Sequence, residues 1–284
     1  MRQLNEIAKE RDLTATVVDL TRAFEGISSM RISKIKDQVE RSERFFAEFW
    51  QIYTQIRVDE LFHFGRSQST DKVINKELMI LITSEGSFSG DLDQRLVNEA
   101  LKYYKPERND IIIIGHHGAV QLAQRGVDFI RNFKLPSRDM NINTDPLIKE
   151  VQKYAGTVVF YASYISLMTQ KVRKITLSTA VAERGKAVTT GDEIISESNY
   201  IFEPTTYAVI DHLERTMMQI ALSEVILESK LAQYASRFKA MNVAHQKADE
   251  ALSDLKLVYN RTKRLIKDER TKEIVNAMHK GEGL

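Results

Sequence analysis

The feature that most constrains the fold is an uninterrupted heptad pattern in the C-terminal quarter of the chain. Residues 205–280 contain neither glycine nor proline, so nothing in this stretch is expected to end a helix. Residues recur there at alternating spacings of four and three: Leu227, Leu231, Tyr234, Phe238, Met241, His245, Ala248, Leu252, Leu255, Tyr259, Thr262 and Ile266. A seam of this length, with mostly charged or polar residues between its members, predicts a coiled-coil helix. Such a helix over 206–280 is roughly 110 Å long, too long to be buried within a globular domain.

The N-terminal segment offers a partner for that helix. Residues 1–64 contain one glycine, Gly26, and no proline. Leu13, Val17, Leu20, Phe24 and Ile27 repeat the same spacing of four and three residues. We therefore predict an antiparallel coiled coil between the two ends of the chain, and we assign its seam to Leu20, Ile27, Leu231, Phe238, Met241, Leu252, Leu255 and Tyr259. The alternative is a homodimer formed through the C-terminal helix.

The middle of the chain predicts an α/β domain. All four prolines and most glycines lie there, and apolar runs at 77–83, 110–115, 127–133, 156–162 and 172–182 are candidate sheet segments. The run at 156–162 could instead begin a helix. Amphipathic stretches such as 93–104 lie between some of them, which favours a largely parallel sheet covered by helices. The fold class is therefore α/β with long helices, in which a coiled coil of the terminal helices accompanies a central Rossmann-like α/β domain. We place an N-terminal coiled-coil helix at 1–64, the α/β domain at 75–204 and a C-terminal coiled-coil helix at 205–284, with a loop or an irregular hairpin at 185–199.

Composition narrows the classes of function. The formal net charge is +2, which gives no indication of a nucleic-acid partner. Cysteine is absent, which excludes disulfides, thiolate metal sites and cysteine nucleophiles. The sequence has no run of about 18 apolar residues and no apolar core of a signal peptide near its start. We therefore expect no membrane span, and a protein in the cytoplasm or on the cytoplasmic side of a membrane.

The stretch ITSEGSFSGDL (82–92) follows an apolar run, where nucleotide-binding folds place a phosphate loop. A P-loop needs four residues between its glycines and then Gly-Lys-Ser/Thr, whereas Gly86 and Gly90 enclose three residues and Asp91 follows. The Rossmann pattern G-x-G-x-x-G is absent as well. Glu85 and Asp91 would repel a phosphate. We predict a strand-to-helix turn and no bound cofactor.

No other residues form a catalytic or metal-binding pattern. His116 and His117 are adjacent, so they point to opposite faces of an extended chain and rarely share an ion. His245 occupies a seam position, where a polar residue more often sets the register than binds a ligand. Serine and lysine do not occur in a nucleophile motif. We expect neither a metal site nor an active site.

A basic cluster lies near the end of the C-terminal helix and consists of Arg261, Lys263, Arg264, Lys267 and Arg270. A solvated helix face explains such a cluster. The alternative is an electrostatic, salt-sensitive contact with acidic residues of a surrounding partner.

Several motifs, distributed over almost the whole chain, resemble those of one family. They are LNEI (4–7), LTRAF (20–24), ITSEGSFSGDL (82–92), IIIIGHHG (111–118), YIFEP (200–204), SRFKAMNVAHQKA (236–248), YNRTKR (259–264) and EIV (273–275). Their order and spacing resemble the gamma subunit of F-type ATP synthases.

This resemblance implies a central rotor shaft without an active site of its own. The coiled coil would lie inside a hexamer of alpha and beta subunits and would couple nucleotide turnover to rotation and proton transport. The α/β domain would contact the epsilon subunit and the membrane rotor ring, which places the chain peripherally at the cytoplasmic face of the cell membrane. The implied rotor–stator contacts are Phe24, Arg31, Arg261, Lys263, Arg264, Lys267, Glu269 and Arg270.

The chain also departs from that family's pattern. The family's Ile-Thr-Gln-Glu-Ile is replaced by residues 267–271, Lys-Asp-Glu-Arg-Thr, and residues 86–89 blur the loop motif. One alternative is therefore the shaft of a specialised F-type-like ATPase that does other mechanical work without ion translocation. An alternative of another class is a stand-alone α/β enzyme with a coiled-coil stalk.

Overall fold

The computed structural model describes most of the chain. The described residues are 4–55, 74–86, 88–137, 139, 142–177, 201 and 203–281. They form two compact units: Met1–Ile27 with Phe238–Leu284, which we call the helix-pair unit, and Ser28–Arg237, which we call the sheet unit. In chain order the elements are α1 (Leu4–Gln55), β1 (Ile74–Ile82), α2 (Leu92–Tyr103), β2 (Asn109–Ile114), α3 (His116–Gln124), β3 (Arg131–Phe133), α4 (Asp145–Val151), β4 (Tyr154–Tyr164), β5 (Gln170–Thr176) and α5 (Thr206–Gly281).

Two long helices occupy the ends of the chain. Neither α1 nor α5 contains proline, so no backbone hydrogen bond of either helix is lost to a missing N–H. Gly26 within α1 has open space where a Cβ would lie. The predicted combination of long terminal helices with a central α/β domain is confirmed. The predicted domain boundaries stay predictions, because residues 56–73 and 178–200 lie outside the described part of the chain.

In the helix-pair unit, the beginning of α1 packs against the end of α5. The guanidinium of Arg11 lies 4.7 Å from the centroid of the Tyr259 ring, and Nδ2 of Asn242 donates to Oε1 of Glu25 at 2.9 Å. The partner's residue number falls as the number along α1 rises, so the two helices run antiparallel. This is the pairing of the two chain ends that the sequence predicts.

The α5 side of this pair follows heptad spacing. From residue 246 to residue 266 the positions that are not fully exposed are Ala248, Leu252, Leu255, Tyr259, Thr262 and Ile266. Leu252 is 8% exposed, and Met241 is 7% exposed. Each of these residues belongs to the heptad pattern read from the sequence. One apolar seam therefore faces α1, and polar residues occupy most of the remaining surface.

The α1 side of the pair differs by one position from the predicted seam. The large hydrophobic residues at the predicted spacing are 36–69% exposed: Leu13, Val17, Leu20, Phe24 and Ile27. Val18 and Thr21 are buried instead, at 6% and 8% exposed, and Oγ1 of Thr21 lies 3.4 Å from Nδ1 of His245. Assigning Leu20 and Ile27 to the seam is therefore wrong. Between residues 13 and 27 the buried positions of α1 are Val18 and Thr21, whereas the five larger hydrophobic residues form a neighbouring stripe that dominates the sequence pattern.

Two adjacent valines of α1 test which stripe of the helix faces α5. Val18→Ala removes two buried methyl groups and should lower the free energy of unfolding by about 1.5 kcal/mol. Val17→Ala makes the same chemical change at a half-exposed position and should alter it by less than about 0.5 kcal/mol. Urea denaturation of the full chain, followed by circular dichroism at 222 nm, measures both. The reverse order of stabilities would restore the predicted seam.

The sheet unit contains a five-stranded sheet in the order β3-β2-β1-β4-β5. β1 pairs in parallel with β2 and β4, β2 pairs in parallel with β3, and β4 pairs antiparallel with β5. Leu81 of β1, for example, is level with Ile113 on one side and with Phe160 on the other. The apolar runs of β1, β2 and β4 explain their central positions, because strands covered on both faces need no polar side.

Helices cover both faces of this sheet. Ile80 belongs to the core that contains Phe46 of α1 and Met217 of α5. Leu81, its neighbour on the opposite face, belongs to the core that contains Leu96 of α2 and Leu122 of α3. This alternation follows from the two-residue repeat of a strand. The segments of α1 and α5 within this unit therefore form part of its core.

The sheet segments agree with the sequence to different degrees. Apart from the last residue of each of the first two, the runs at 77–83, 110–115 and 156–162 lie in β1, β2 and β4. Two other runs are strands only in part: 127–133 contributes the three residues of β3, and β5 ends at Thr176. The predicted loop at 185–199 lies outside the described residues.

Candidate functional site

The turn after β1, which resembles a phosphate loop in sequence, is built around a buried carboxylate. Asp93 is 2% exposed. Its Oδ1 accepts a hydrogen bond from the backbone N of Ser84 at 3.0 Å, and its Oδ2 accepts one from Oγ of Ser89 at 3.1 Å. Oγ of Ser84 donates to the same Oδ2. The centre of the turn is therefore an anion, and a phosphate placed there would meet a like charge.

The serines, Asp93 and His117 do not form a nucleophile relay. In such a relay the imidazole lies between the carboxylate and the hydroxyl. Here Nδ1 of His117 lies 3.2 Å from Oδ2 of Asp93, which also contacts the serine hydroxyls directly. Oγ of Ser236 on α5 donates to the backbone O of Ser89 at 2.7 Å. The cluster thus fixes the strand-to-helix turn against α3 and α5, a role that sequence reasoning missed at Asp93.

A buried ionic cluster joins α1, the segment before α4, and α5 within the sheet unit. The side chain of Asp139 is fully buried, and the Nζ of Lys230, whose side chain is 2% exposed, pairs with its Oδ1. Lys230 Nζ also donates to the backbone O of Pro136 at 2.8 Å. Nη1 of Arg31 lies 3.2 Å from Oδ2 of Asp139. The guanidinium of Arg31, for which the resemblance implies a stator contact, is thus directed at this carboxylate.

Removing the charge of Asp139 tests the cluster. Asp139→Asn leaves the ammonium of Lys230 buried without its carboxylate, so the free energy of unfolding should fall by about 3–5 kcal/mol. The double variant Asp139→Asn/Lys230→Met removes both buried charges and should be more stable than Asp139→Asn alone. Urea denaturation of the full chain measures all three. An Asp139→Asn variant with the midpoint of the unmodified chain would show that the cluster contributes nothing to stability.

The basic residues predicted as contacts lie on the surface of the helix-pair unit. Arg261, Lys263, Arg264, Lys267, Glu269 and Arg270 are all exposed. Within the described part of the chain, none of the five basic residues forms an ion pair. Phe24 is 36% exposed on α1. The structure therefore leaves these side chains accessible to a partner.

A few groups titrate away from their ordinary range. Burial, with a smaller contribution from the neighbouring Asp211, raises the pKa of Glu214 to about 7. Burial and the nearby Glu228 raise the pKa of Tyr161 to about 12. Among the described residues, no group of three or more His, Asp or Glu side chains is arranged to hold a metal ion.

The sheet unit also contains an open cavity of about 470 Å³ between α1, residues 139 and 142–145, and α5. Arg41, Asp145 and Gln219 line it together with the apolar Phe45. Nε2 of Gln219 donates to Oδ1 of Asp145, so that carboxylate is already engaged.

None of the helices described here combines the length and the apolarity needed to cross a bilayer.

Comparison with known protein families shows to which family the chain belongs. The family model described as ATP synthase matches residues 3–278. The chain belongs to the ATP synthase family. The resemblance carried by the sequence motifs is thus confirmed over nearly the whole length of this family member.

Curated relatives of this ATP synthase family member share its full length. The ATP synthase gamma chain of Mycoplasmoides gallisepticum is 23% identical over 290 residues, which cover 97% of this chain and 98% of that protein. The ATP synthase gamma chain of Cytophaga hutchinsonii is 22% identical over 299 residues, which cover 100% and 99%.

Solved structures share the fold. A chain of the Euglena gracilis mitochondrial ATP synthase, in a structure of OSCP, F1 and the c-ring, superposes with a TM-score of 0.65 at 16% identity and covers 99% of this chain. A chain of the Tetrahymena thermophila ATP synthase central stalk and c-ring gives a TM-score of 0.56 at 16% identity and covers 79%. At this identity the likeness shows the fold alone.

Proposed function

We propose that the chain is the central rotor shaft of a rotary F-type ATP synthase or ATPase. In this role it couples nucleotide turnover in a surrounding hexamer of alpha and beta subunits to rotation and proton transport. The observation that carries the proposal is the antiparallel pairing of the two chain ends, Arg11 with Tyr259 and Glu25 with Asn242. Full-length relatives named ATP synthase gamma chain support it.

The helix pair has the mechanical properties that a shaft needs. Each helix restrains the other against bending along the seam, so torque applied to one part of the pair reaches the next. The residues exposed on the surface of the pair also differ in chemical character around its circumference. Large hydrophobic residues are exposed on α1, whereas exposed basic residues lie on α5.

That asymmetry gives the shaft a way to act on nucleotide sites that it does not itself contain. A shaft that presents different faces to three beta subunits makes different contacts with each of them at any one angle. A difference in contact free energy shifts the conformational equilibrium of each subunit, and the coupling operates in both directions. Hydrolysis then turns the shaft, and a turning shaft changes nucleotide affinity.

The contacts that we assign to the stator are Phe24, Arg31 and the exposed residues near the end of α5. Arg261, Lys263, Arg264, Lys267 and Arg270 provide positive charge toward acidic surfaces of the beta subunits, and Glu269 lies among them. Arg31 is 41% exposed at its side chain while it pairs with Asp139. Its remaining exposed surface is what a stator would contact.

The proposed site of action is the cytoplasmic face of the cell membrane. The chain is held there peripherally, through the epsilon subunit and the membrane rotor ring, and the sheet unit provides the surface for both. Recovery of the complex without a membrane ring would favour the specialised ATPase that lacks ion translocation.

A pull-down of the tagged full chain tests the proposal. At low salt we expect alpha- and beta-like nucleotide-binding subunits to be recovered with it, and less of them at high salt because exposed charge pairs are screened. Arg261→Glu should lower their recovery at low salt several-fold. Lys256→Glu makes the same change of charge elsewhere on α5 and should have little effect. A chain that recovers no nucleotide-binding subunits, or that hydrolyses nucleotide by itself, would contradict the rotor role.

A further inference from the structure

The open cavity of the sheet unit lies between two helices and the segment that precedes α4. Four of its lining residues lie on α1 at the spacing of one helix face: Gln38, Arg41, Ser42 and Phe45. Residues of α5 between positions 216 and 227 form the opposite wall, and the segment 142–145 forms a third side. A molecule in this cavity would therefore contact three separate parts of the chain.

The size of the cavity is that of a small-molecule site. Its volume is about 470 Å³, and protein sites for small molecules typically measure about 300–1,000 Å³. A single inorganic ion would occupy only a small part of this space. A ligand that fills the cavity therefore has an organic body.

Several polar side chains at the cavity make no hydrogen bond within the described part of the chain. They are Gln38, Arg41, Ser42 and Ser223. A hydroxyl on a helix commonly donates to the backbone carbonyl four residues earlier, as Oγ1 of Thr216 does to the O of His212 at 2.8 Å. The hydroxyls of Ser42 and Ser223 are not engaged in this way by any described residue. Both are therefore available to a ligand.

The charges at the cavity favour an anion. Arg41 is exposed and forms no ion pair with a described residue. Asp139, which also lines the cavity, is paired with both Lys230 and Arg31, so that cluster carries one net positive charge. Asp145 is the only other carboxylate among the described lining residues, and the cluster offsets its charge. The positive charge of Arg41 remains for a ligand to neutralise.

The remaining lining residues are apolar. They include Phe45, Ile142, Ile220 and Leu227. Phe45 is 53% exposed, and Ile142 and Ile220 are half-buried. An apolar body placed in the cavity would remove part of this surface from water, which favours binding.

We propose that this cavity binds an organic anion in which one phosphate or carboxylate group is attached to an apolar or aromatic body. The guanidinium of Arg41 can donate two parallel hydrogen bonds to the anionic group, and Gln38, Ser42 and Ser223 supply further donors. The apolar body covers the Phe45 ring. A soluble metabolite and the headgroup region of an anionic lipid both have this chemistry.

The proposal goes beyond the rotor role and does not depend on it. All of the lining residues belong to the sheet unit, and none of the four donors is among the contacts assigned to the stator. Because the ligand would contact α1, α5 and the segment 142–145 together, its binding should also stabilise the folded chain.

Three soluble probes separate the two parts of the proposed ligand. Phenyl phosphate has both an anionic group and an aromatic ring, inorganic phosphate has only the charge, and benzyl alcohol has only the ring. Each is titrated into the purified full chain by isothermal titration calorimetry. The chain is used without nucleotide-binding subunits, because their sites would bind phosphates as well. Sedimentation with vesicles of phosphatidylglycerol, and with vesicles of phosphatidylcholine as the neutral control, tests the lipid as a source.

Phenyl phosphate should bind once per chain, about tenfold more tightly than inorganic phosphate or benzyl alcohol, and should raise the melting temperature. Arg41→Gln should weaken its binding by about tenfold, because a hydrogen bond to a charged group is lost. Arg22→Gln makes the same change at an exposed position of α1 in the helix-pair unit and should have no effect. Ser223→Phe places a ring in the cavity and should abolish binding with unchanged helix content.

The vesicles distinguish the two sources of the ligand. Phosphatidylglycerol vesicles that bind the unmodified chain but not Arg41→Gln would support the proposal with a lipid headgroup as the ligand. Vesicles that bind neither chain, together with Arg41-dependent binding of phenyl phosphate, would support it with a soluble anion.

Three results would overturn the proposal. Equal affinities for phenyl phosphate and inorganic phosphate would indicate an adventitious ion only. Equal affinities of Arg41→Gln and the unmodified chain for phenyl phosphate would place the ligand elsewhere. Failure of every probe and of both kinds of vesicle to bind would show that the cavity takes no such ligand. None of these results alters the recovery of nucleotide-binding subunits, which tests the rotor role separately.

Discussion

The antiparallel seam between the two ends of the chain is the constraint on which the rest of the structure depends. Because α1 and α5 run in opposite directions and no short turn joins them, everything between residues 55 and 206 is inserted between two paired helices. Small and polar residues of α1, such as Thr21 against His245, face the larger side chains of α5. Large hydrophobic residues of α1 such as Leu13 and Leu20 are thereby left exposed beside the seam.

The same two helices are also part of the sheet unit, where a different interaction holds them. Their segments in that unit bury Phe46 and Met217 against the sheet, and Asp139 binds Arg31 of α1 and Lys230 of α5. Burying a charged pair gains little stability over apolar packing, because both ions lose their hydration. We infer that this cluster fixes the positions of the two helices. One carboxylate specifies which turns of α1 and α5 contact the segment before α4.

Elements that follow from a residue pattern within one segment can be predicted from the sequence, whereas contacts between residues far apart in the chain cannot. The seam of α5 and the strands β1, β2 and β4 follow from residue type and spacing within one segment, and the sequence is sufficient for them. For α1 the sequence pattern predicts a seam one position away from the observed seam. The burial of Thr21 depends on His245, which is more than two hundred residues away in the chain. The roles of Asp93 and Asp139 were missed for the same reason, since the sequence shows an acidic residue but not the partners that bury it. Arg31 was singled out by resemblance, and its contact with Asp139 emerged only from the fold.

The most direct test of the rotor account is rotation itself. A single cysteine at the exposed Lys105 of the sheet unit provides the only thiol in the chain, and a reporter particle attached there can be observed while the purified complex is fixed to a surface through its nucleotide-binding subunits. We predict that the particle turns in one direction while ATP is hydrolysed and stops when ATP is exhausted. A particle that stays still while the same complexes hydrolyse ATP would contradict the account.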